Sequence, residues 1–293
     1  MRDIASAMFT PPALPRDLVS RPELRALLDT CADRALTLVC APPGFGKSSL
    51  LADWVRRSPG VPTAWVSLEV EDIDPRRLWS GVLAALRTCS AVPSSSRLHR
   101  LLVSRTTVEL DFLDDLLDSL AALPGPLRLV LDDAHHLRDG PVVDHLRMLV
   151  RGHGPRVHLV LASRLDPVLR LGRMRLNDEL RELRVDRLRF SLAESLALLD
   201  RNGLELSPEQ RVHLHEQTGG WVAGLRLAIR ALRDNADPDG FLETFSGDER
   251  SVADYLVGEV LAGMSESQRQ VTPSSVDSHN PTLLPLSQSF LPA

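Results

Sequence analysis

Lys47 is the one lysine in a chain of 293 residues; the other 33 of its 34 Lys and Arg positions are arginine. It lies in Ala41-Pro42-Pro43-Gly44-Phe45-Gly46-Lys47-Ser48-Ser49. Gly44 and Gly46 permit a tight path and close approach of backbone to ligand, and the backbone N–H groups over 43–48 are placed to wrap a phosphate. Lysine brings a compact ammonium to phosphate oxygens, a role for which arginine is not a conservative replacement. The stretch therefore reads as a phosphate-binding loop, with Ala41 where the usual pattern begins with glycine. Pro43, Gly44, Phe45, Gly46, Lys47, Ser48 and Ser49 are the expected nucleotide contacts. Lys47 neutralises the β and γ oxygens, and Ser48 places its hydroxyl on magnesium.

A second group of candidates lies downstream. Asp132 and Asp133 end an apolar run 85 positions after Lys47. Asp132 is expected to hold the magnesium, directly or through water, and Asp133 to act as general base toward an attacking water. Arg164 ends the next apolar run, where its guanidinium would read a γ-phosphate. His135 and His136 follow the carboxylates, but no third residue has ligand spacing, so they are read as loop structure. Cys31, Cys40 and Cys89 match no metal or disulfide pattern; Cys31 and Cys40, in or beside apolar segments, are expected to be buried, and a reducing, cytoplasmic setting fits.

These residues need a scaffold. Apolar strands are expected at 35–40, 63–68, 127–131 and 157–162, with a fifth at 180–185. Helices are expected at 21–33, 47–57, 75–89, 109–122 and 141–151, with a Ser- and Arg-rich loop at 90–107. Apolar strands alternating with helices predict a parallel sheet covered on both faces. From Ser191 the pattern becomes helical, with Glu194 completing a capping box for a helix to Leu199 and further helices at 208–217, 221–233 and 250–262. The fold class is α/β, a P-loop NTPase sheet followed by a small helical subdomain. The divisions are a lead-in at 1–20, a nucleotide-binding domain at 21–189, a helical subdomain at 190–263 and a tail at 264–293. From Gln270 onward the chain has no Lys or Arg and four prolines, which reads as a disordered or out-of-family tail. The formal net charge of −5 supplies no global basic field for nucleic acid, and no apolar run is long enough for a membrane span.

Taken together, LVCAPPGFGKSSLL (38–51), WVSLEVEDIDP (65–75), LVLDDAHH (129–136), HLVLASRLDP (158–167), ELRELRVDRLRF (179–190), TGGWVAGLRLA (218–228) and VADYLVGEVL (252–261) resemble the nucleotide-binding domain of MalT-like regulators. These are AAA+/STAND-like ATPases, often with a LuxR-type DNA-binding end. The resemblance implies a switch that binds ATP or ADP with Mg2+, is a closed monomer with ADP, self-associates in the ATP state and resets by slow hydrolysis. It implies that Arg164 is a sensor arginine, that Arg21 and Pro22 flank the adenine side, and that Gly219-Gly220-Trp221 begins a helical element packed on the nucleotide domain. It runs out after Leu261, so the expectation is a truncated product that does not bind DNA by itself. Two other readings fit the same residues: a stand-alone signalling NTPase without a transcription role, and a non-functional remnant. A kinase role is disfavoured, because no acceptor pocket can be named.

Overall fold

The computed structural model describes residues 8–31, 34–104, 108, 110–137, 140–234, 240 and 242. The elements, in chain order, are α1 (Pro22–Asp29), β1 (Leu36–Cys40), α2 (Lys47–Arg57), β2 (Thr63–Ser67), α3 (Pro75–Thr88), α4 (Leu110–Ala121), β3 (Leu127–Asp132), α5 (Pro141–Gly152), β4 (Val157–Ser163), α6 (Leu171–Leu176), β5 (Leu180–Leu183), α7 (Val185–Leu188), α8 (Leu192–Arg201), α9 (Pro208–Thr218) and α10 (Val222–Asp234). The five strands form one parallel sheet in the order β2-β3-β4-β1-β5.

Strand residues alternate between two cores, as the period of two requires. Leu36, Leu38 and Cys40 of β1 join Leu129, Leu131, Leu159 and Leu161 on the face covered by α3, α4 and α5. Val39, Val130, Val160 and Ala162 face the other way, against Leu24 and Leu28 of α1 and Leu50, Leu51 and Trp54 of α2. Both faces are covered, which is why β1, β3 and β4 are buried along their whole length. Buried Arg128 of β3 stacks over Trp54 at 4.1 Å and donates to Ser58 O, while Trp54 Nε1 donates to Asp29 Oδ1. These contacts fix α2, the helix that follows the phosphate loop, against β3 and α1.

Helices α8, α9 and α10 build their own small core from Phe190, Leu198, Leu199, Leu214, Leu225 and Ile229. Ser191 and Glu194 form the expected capping box of α8, and Ser207 and Gln210 do the same for α9. Arg21 ties this group to the start of α1. Its Nε donates to Glu194 Oε1 (2.7 Å), Nη1 to Leu188 O (2.8 Å) and Nη2 to Arg189 O (2.8 Å). The carboxylate it grips is the one that caps α8, since Glu194 Oε2 accepts from Ser191 N. Lysine has a point charge and no planar fork with which to reach acceptors in three directions. Arg21→Lys is therefore expected to destabilise the chain by about 1–2 kcal/mol. Urea denaturation checks this, and an unchanged midpoint would remove Arg21 from the account of how the two parts are joined.

Several expectations need adjustment. The first helix stops at Asp29, where the Thr30 N–H and hydroxyl and the Cys31 thiol all turn back onto α1 carbonyls. The fifth strand ends at Leu183, because Val185 begins the single turn α7. Helix α6 was not expected, and the 90–107 loop contains a 3-10 turn at Arg97–His99. The helix expected at 250–262 and the tail at 264–293 lie outside the described residues. Cys31, Cys40 and Cys89 are buried free thiols.

Candidate functional site

In a parallel sheet every strand delivers its C-terminal end to the same edge. Here β1 runs into the phosphate loop, β3 into Asp132-Asp133 and β4, lying between them, into Arg164. Leu161 of β4 is level with Leu38 of β1 and Leu131 of β3, so the three strand ends are in register.

The loop is shaped as its sequence demands. Ala41 still belongs to the sheet, since its N–H donates to Ser163 O at 3.2 Å and it is not among the positive-φ residues. Glycine is therefore not required at that first position. Gly44 (φ 78°) and Gly46 (φ 74°) take left-handed conformations, with Gly46 capping the N-terminus of α2. The N–H groups of Gly44, Phe45 and Gly46 have no acceptor among the described residues. Three such donors beside a helix N-terminus suit an anion. Lys47 is buried and donates from Nζ to Ala41 O (2.7 Å) and Pro42 O (3.0 Å). Burial pulls its pKa below the usual lysine value, opposed by the charge of Asp133 and reinforced by that of Arg164.

Ser48 Oγ donates to Asp132 Oδ1 at 3.0 Å, and the same oxygen accepts from Asp133 N. Asp132 is 3% exposed, and burial, aided by the charge of Asp133, pushes its carboxyl up to about 6. A hydroxyl and a carboxylate joined in this way offer the hard oxygen donors that Mg2+ takes alongside water, so the residues present fit that ion. Asp133 adopts a left-handed conformation (φ 56°) with its carboxylate 38% exposed and 3.6 Å from His135 Nδ1. Strain of this sort in a non-glycine residue is a feature of functional turns. Half-buried Arg164 lies close enough to act on Lys47. Lys47, Ser48, Asp132, Asp133 and Arg164 are thus brought together. Among the described residues no group of three His, Cys, Asp or Glu is arranged for a metal.

Residues 31–169 match the family model for an AAA domain. The fold is that of an α/β P-loop NTPase. The Walker-type ATPase PABY2304 of Pyrococcus abyssi superposes with a TM-score of 0.52 at 16% identity, over 89% of this chain and 79% of that one. The Aeropyrum pernix ORC1 protein, solved in complex with DNA, gives 0.51 at 17% identity over 85% and 70%. At such identities these matches show the P-loop NTPase fold alone. In sequence, the P-loop chain is 30% identical over 263 residues to the serine/threonine-protein kinase PknK of Mycobacterium tuberculosis, covering 88% of this chain and 24% of that protein. It is 28% identical to the HTH-type transcriptional regulator MalT of Yersinia enterocolitica, covering 87% and 28%, and 29% identical to that of Cronobacter sakazakii, covering 91% and 30%. The chain spans less than a third of the length of these relatives.

Two parts of the site's surroundings were not foreseen residue by residue. The first is Arg21, expected beside adenine, whose guanidinium donates to protein acceptors, while Pro22 at the start of α1 is exposed. The second is a set of contacts from the helical segment onto the loop. Trp221 Nε1 donates to Pro43 O and Ala223 N to Gly44 O, both at 3.0 Å. Arg189 donates to Gly219 O (2.7 Å), and its guanidinium lies 5.8 Å from the Phe45 ring. Pro43, expected among residues that wrap a phosphate with N–H groups, has none; its carbonyl is what it contributes. The run of small residues around Trp221 was the sequence signal available for this packing.

Proposed function

We propose that this chain is the nucleotide-binding regulatory module of a MalT-like transcription regulator. It binds ATP and ADP with Mg2+, hydrolyses ATP slowly, and leaves DNA binding to parts outside the chain. The observation that carries the reading is the 3.0 Å Ser48–Asp132 hydrogen bond beside buried Lys47 and the unpaired loop N–H groups. The same 260-odd residues resemble part of a kinase and part of a transcription regulator, which supports a control module whose output resides elsewhere.

In this reading the loop N–H groups and Lys47 hold the phosphates, with Gly44 to Ser49 as the contacting stretch and Pro22 offering an exposed face toward the base. Ser48 and Asp132 hold Mg2+, which when bound supplies charge neutralisation between phosphate oxygens. Asp133 accepts a proton from the attacking water, and Arg164 faces the γ-phosphate. Self-association in the ATP state and a cytoplasmic location belong to the same proposal. No helix among the described residues is long and apolar enough to cross a membrane.

Calorimetric titration with ADP and ATP, each with and without Mg2+, tests it. Saturable, magnesium-dependent binding is expected for both. A folded chain that binds neither would overturn the assignment.

A further inference from the structure

The contacts between Trp221 and the phosphate loop do more than fill space. We propose that Trp221 is the positioning residue of the loop: its indole aims the N–H of Gly44 by holding Pro43 O, and seats the Ala223 N–H that aims the N–H of Phe45 by holding Gly44 O. The inference rests on the nucleotide-binding reading for its ligand, but its geometry stands alone.

In a trans peptide the carbonyl of one residue and the N–H of the next point in opposite directions, and the described residues contain no cis bond. Pro43 O is held by Trp221 Nε1, so the N–H of Gly44 points away from the helical segment. Gly44 O is held by Ala223 N, so the N–H of Phe45 is turned away in the same manner. Two successive peptide planes are thereby set from one side. Neither of the N–H groups they carry has an acceptor among the described residues.

The side chains around this grip are those that let it close. A Cβ on Gly44 would lie 2.5 Å from Ala223 Cβ and 2.6 Å from Trp221 Nε1. A Cβ on Gly224 would lie 2.5 Å from the Trp221 ring, and one on Gly220 would lie 2.3 Å from Phe190 O. Gly44 is thus required twice, by its left-handed backbone and by the indole seated against it. Arg189 adds a second strap, from the Phe45 ring to Gly219 O. Occupancy of the loop and seating of the helical segment are linked through these atoms. By reciprocity, whatever unseats Trp221 weakens phosphate binding, and phosphate binding favours the seated form.

Trp221→Phe keeps an aromatic ring and removes the N–H donor, and Trp221→Ala removes both. Hydrogen–deuterium exchange of the nucleotide-free chain is the first measurement. Peptides covering 222–225, where the Ala223 N–H donates to Gly44 O, are expected to exchange faster in both variants, while peptides covering β1, β3 and β4 stay protected, which separates loosening of the grip from unfolding. Titration with MgADP is the second. Loss of one hydrogen bond predicts about 3- to 10-fold weaker binding for Trp221→Phe, and a greater loss for Trp221→Ala. Emission is the third, since Trp54, Trp65 and Trp79 are fully buried and Trp221 only partly. Saturation with MgADP should change the emission of the native chain and leave that of Trp221→Phe unchanged. If Ala223 exchanges at the native rate in Trp221→Phe, the positioning role is wrong, whatever the nucleotide result. Faster exchange at Ala223 in the variants, with no ADP binding by the native chain, would instead overturn the nucleotide reading and leave the grip standing.

Discussion

Lys47→Ala is expected to weaken MgADP binding on the order of 100-fold, because two or more charge-assisted hydrogen bonds to phosphate oxygens disappear. The fold should tolerate the change. The ammonium is buried at some electrostatic cost, its pKa being lowered mainly by desolvation, and it donates to only two carbonyls of its own loop. Calorimetry beside a thermal melt separates the two effects. Lys47→Arg sharpens the result. The chain uses arginine at every other basic position, so if any cation sufficed here, the arginine variant would bind normally. Failure of Lys47→Arg to restore affinity is the expected outcome, since Lys47 is buried with its ammonium on Ala41 O and Pro42 O and a planar guanidinium does not replace a compact ammonium there. Native affinity in Lys47→Ala would mean that the loop does not bind phosphate through this residue.

The second large effect concerns Asp132 and runs in opposite directions for stability and for binding. Without magnesium, its carboxyl is raised to about 6 by burial and by Asp133, against about 3.9 in an unfolded chain. A group whose folded pKa is raised contributes stability below the unfolded value and loses it as pH climbs through the folded one. Between pH 4 and pH 7 the native chain should therefore lose about 2 kcal/mol at this site. Asp132→Asn keeps an acceptor for Ser48 and Asp133 N but does not titrate. In EDTA it should be more stable than the native chain at pH 7.5 by roughly that amount and nearly equal to it at pH 4. The same variant should lose the magnesium dependence of nucleotide binding. Denaturation midpoints of the two chains at both pH values decide the matter; a constant difference would show that Asp132 is not destabilised by its surroundings.

How much of this was legible beforehand depends on how local the signal is. The strands β1 to β4 announce themselves as uninterrupted apolar runs because both faces of the sheet are covered, and their ends moved by a residue at most. Strand β5 was read two residues too long because Arg184 and Val185 continue its pattern of burial, while Val185 begins the single turn α7. The six-residue helix α6 gave no periodic pattern, being less than two turns and containing Gly172. At the site, the loop, Asp132 and Asp133 were visible because each sits within a few residues of the strand that places it. The role of Trp221 was not, since the loop carbonyl it meets is 178 positions away and an indole in a glycine-rich run could face anywhere. Arg21 illustrates the same limit: an Arg-Pro pair at a helix start is equally compatible with a ligand contact and with the intrachain acceptors it meets.

Those acceptors have a mechanical consequence. Among the described residues the helical segment is held along 17–21, where Asp17 accepts from Arg226 and Asn202 and Arg21 donates to Leu188, Arg189 and Glu194, and at the loop by the Trp221 indole and the Ala223 N–H. The first fastening is multidentate and charged, the second a pair of single hydrogen bonds. Under load the weaker one yields first. The side held by residues 17–21 is then the hinge side and Trp221 the catch, so a pull on the helical segment would open it at the phosphate loop first.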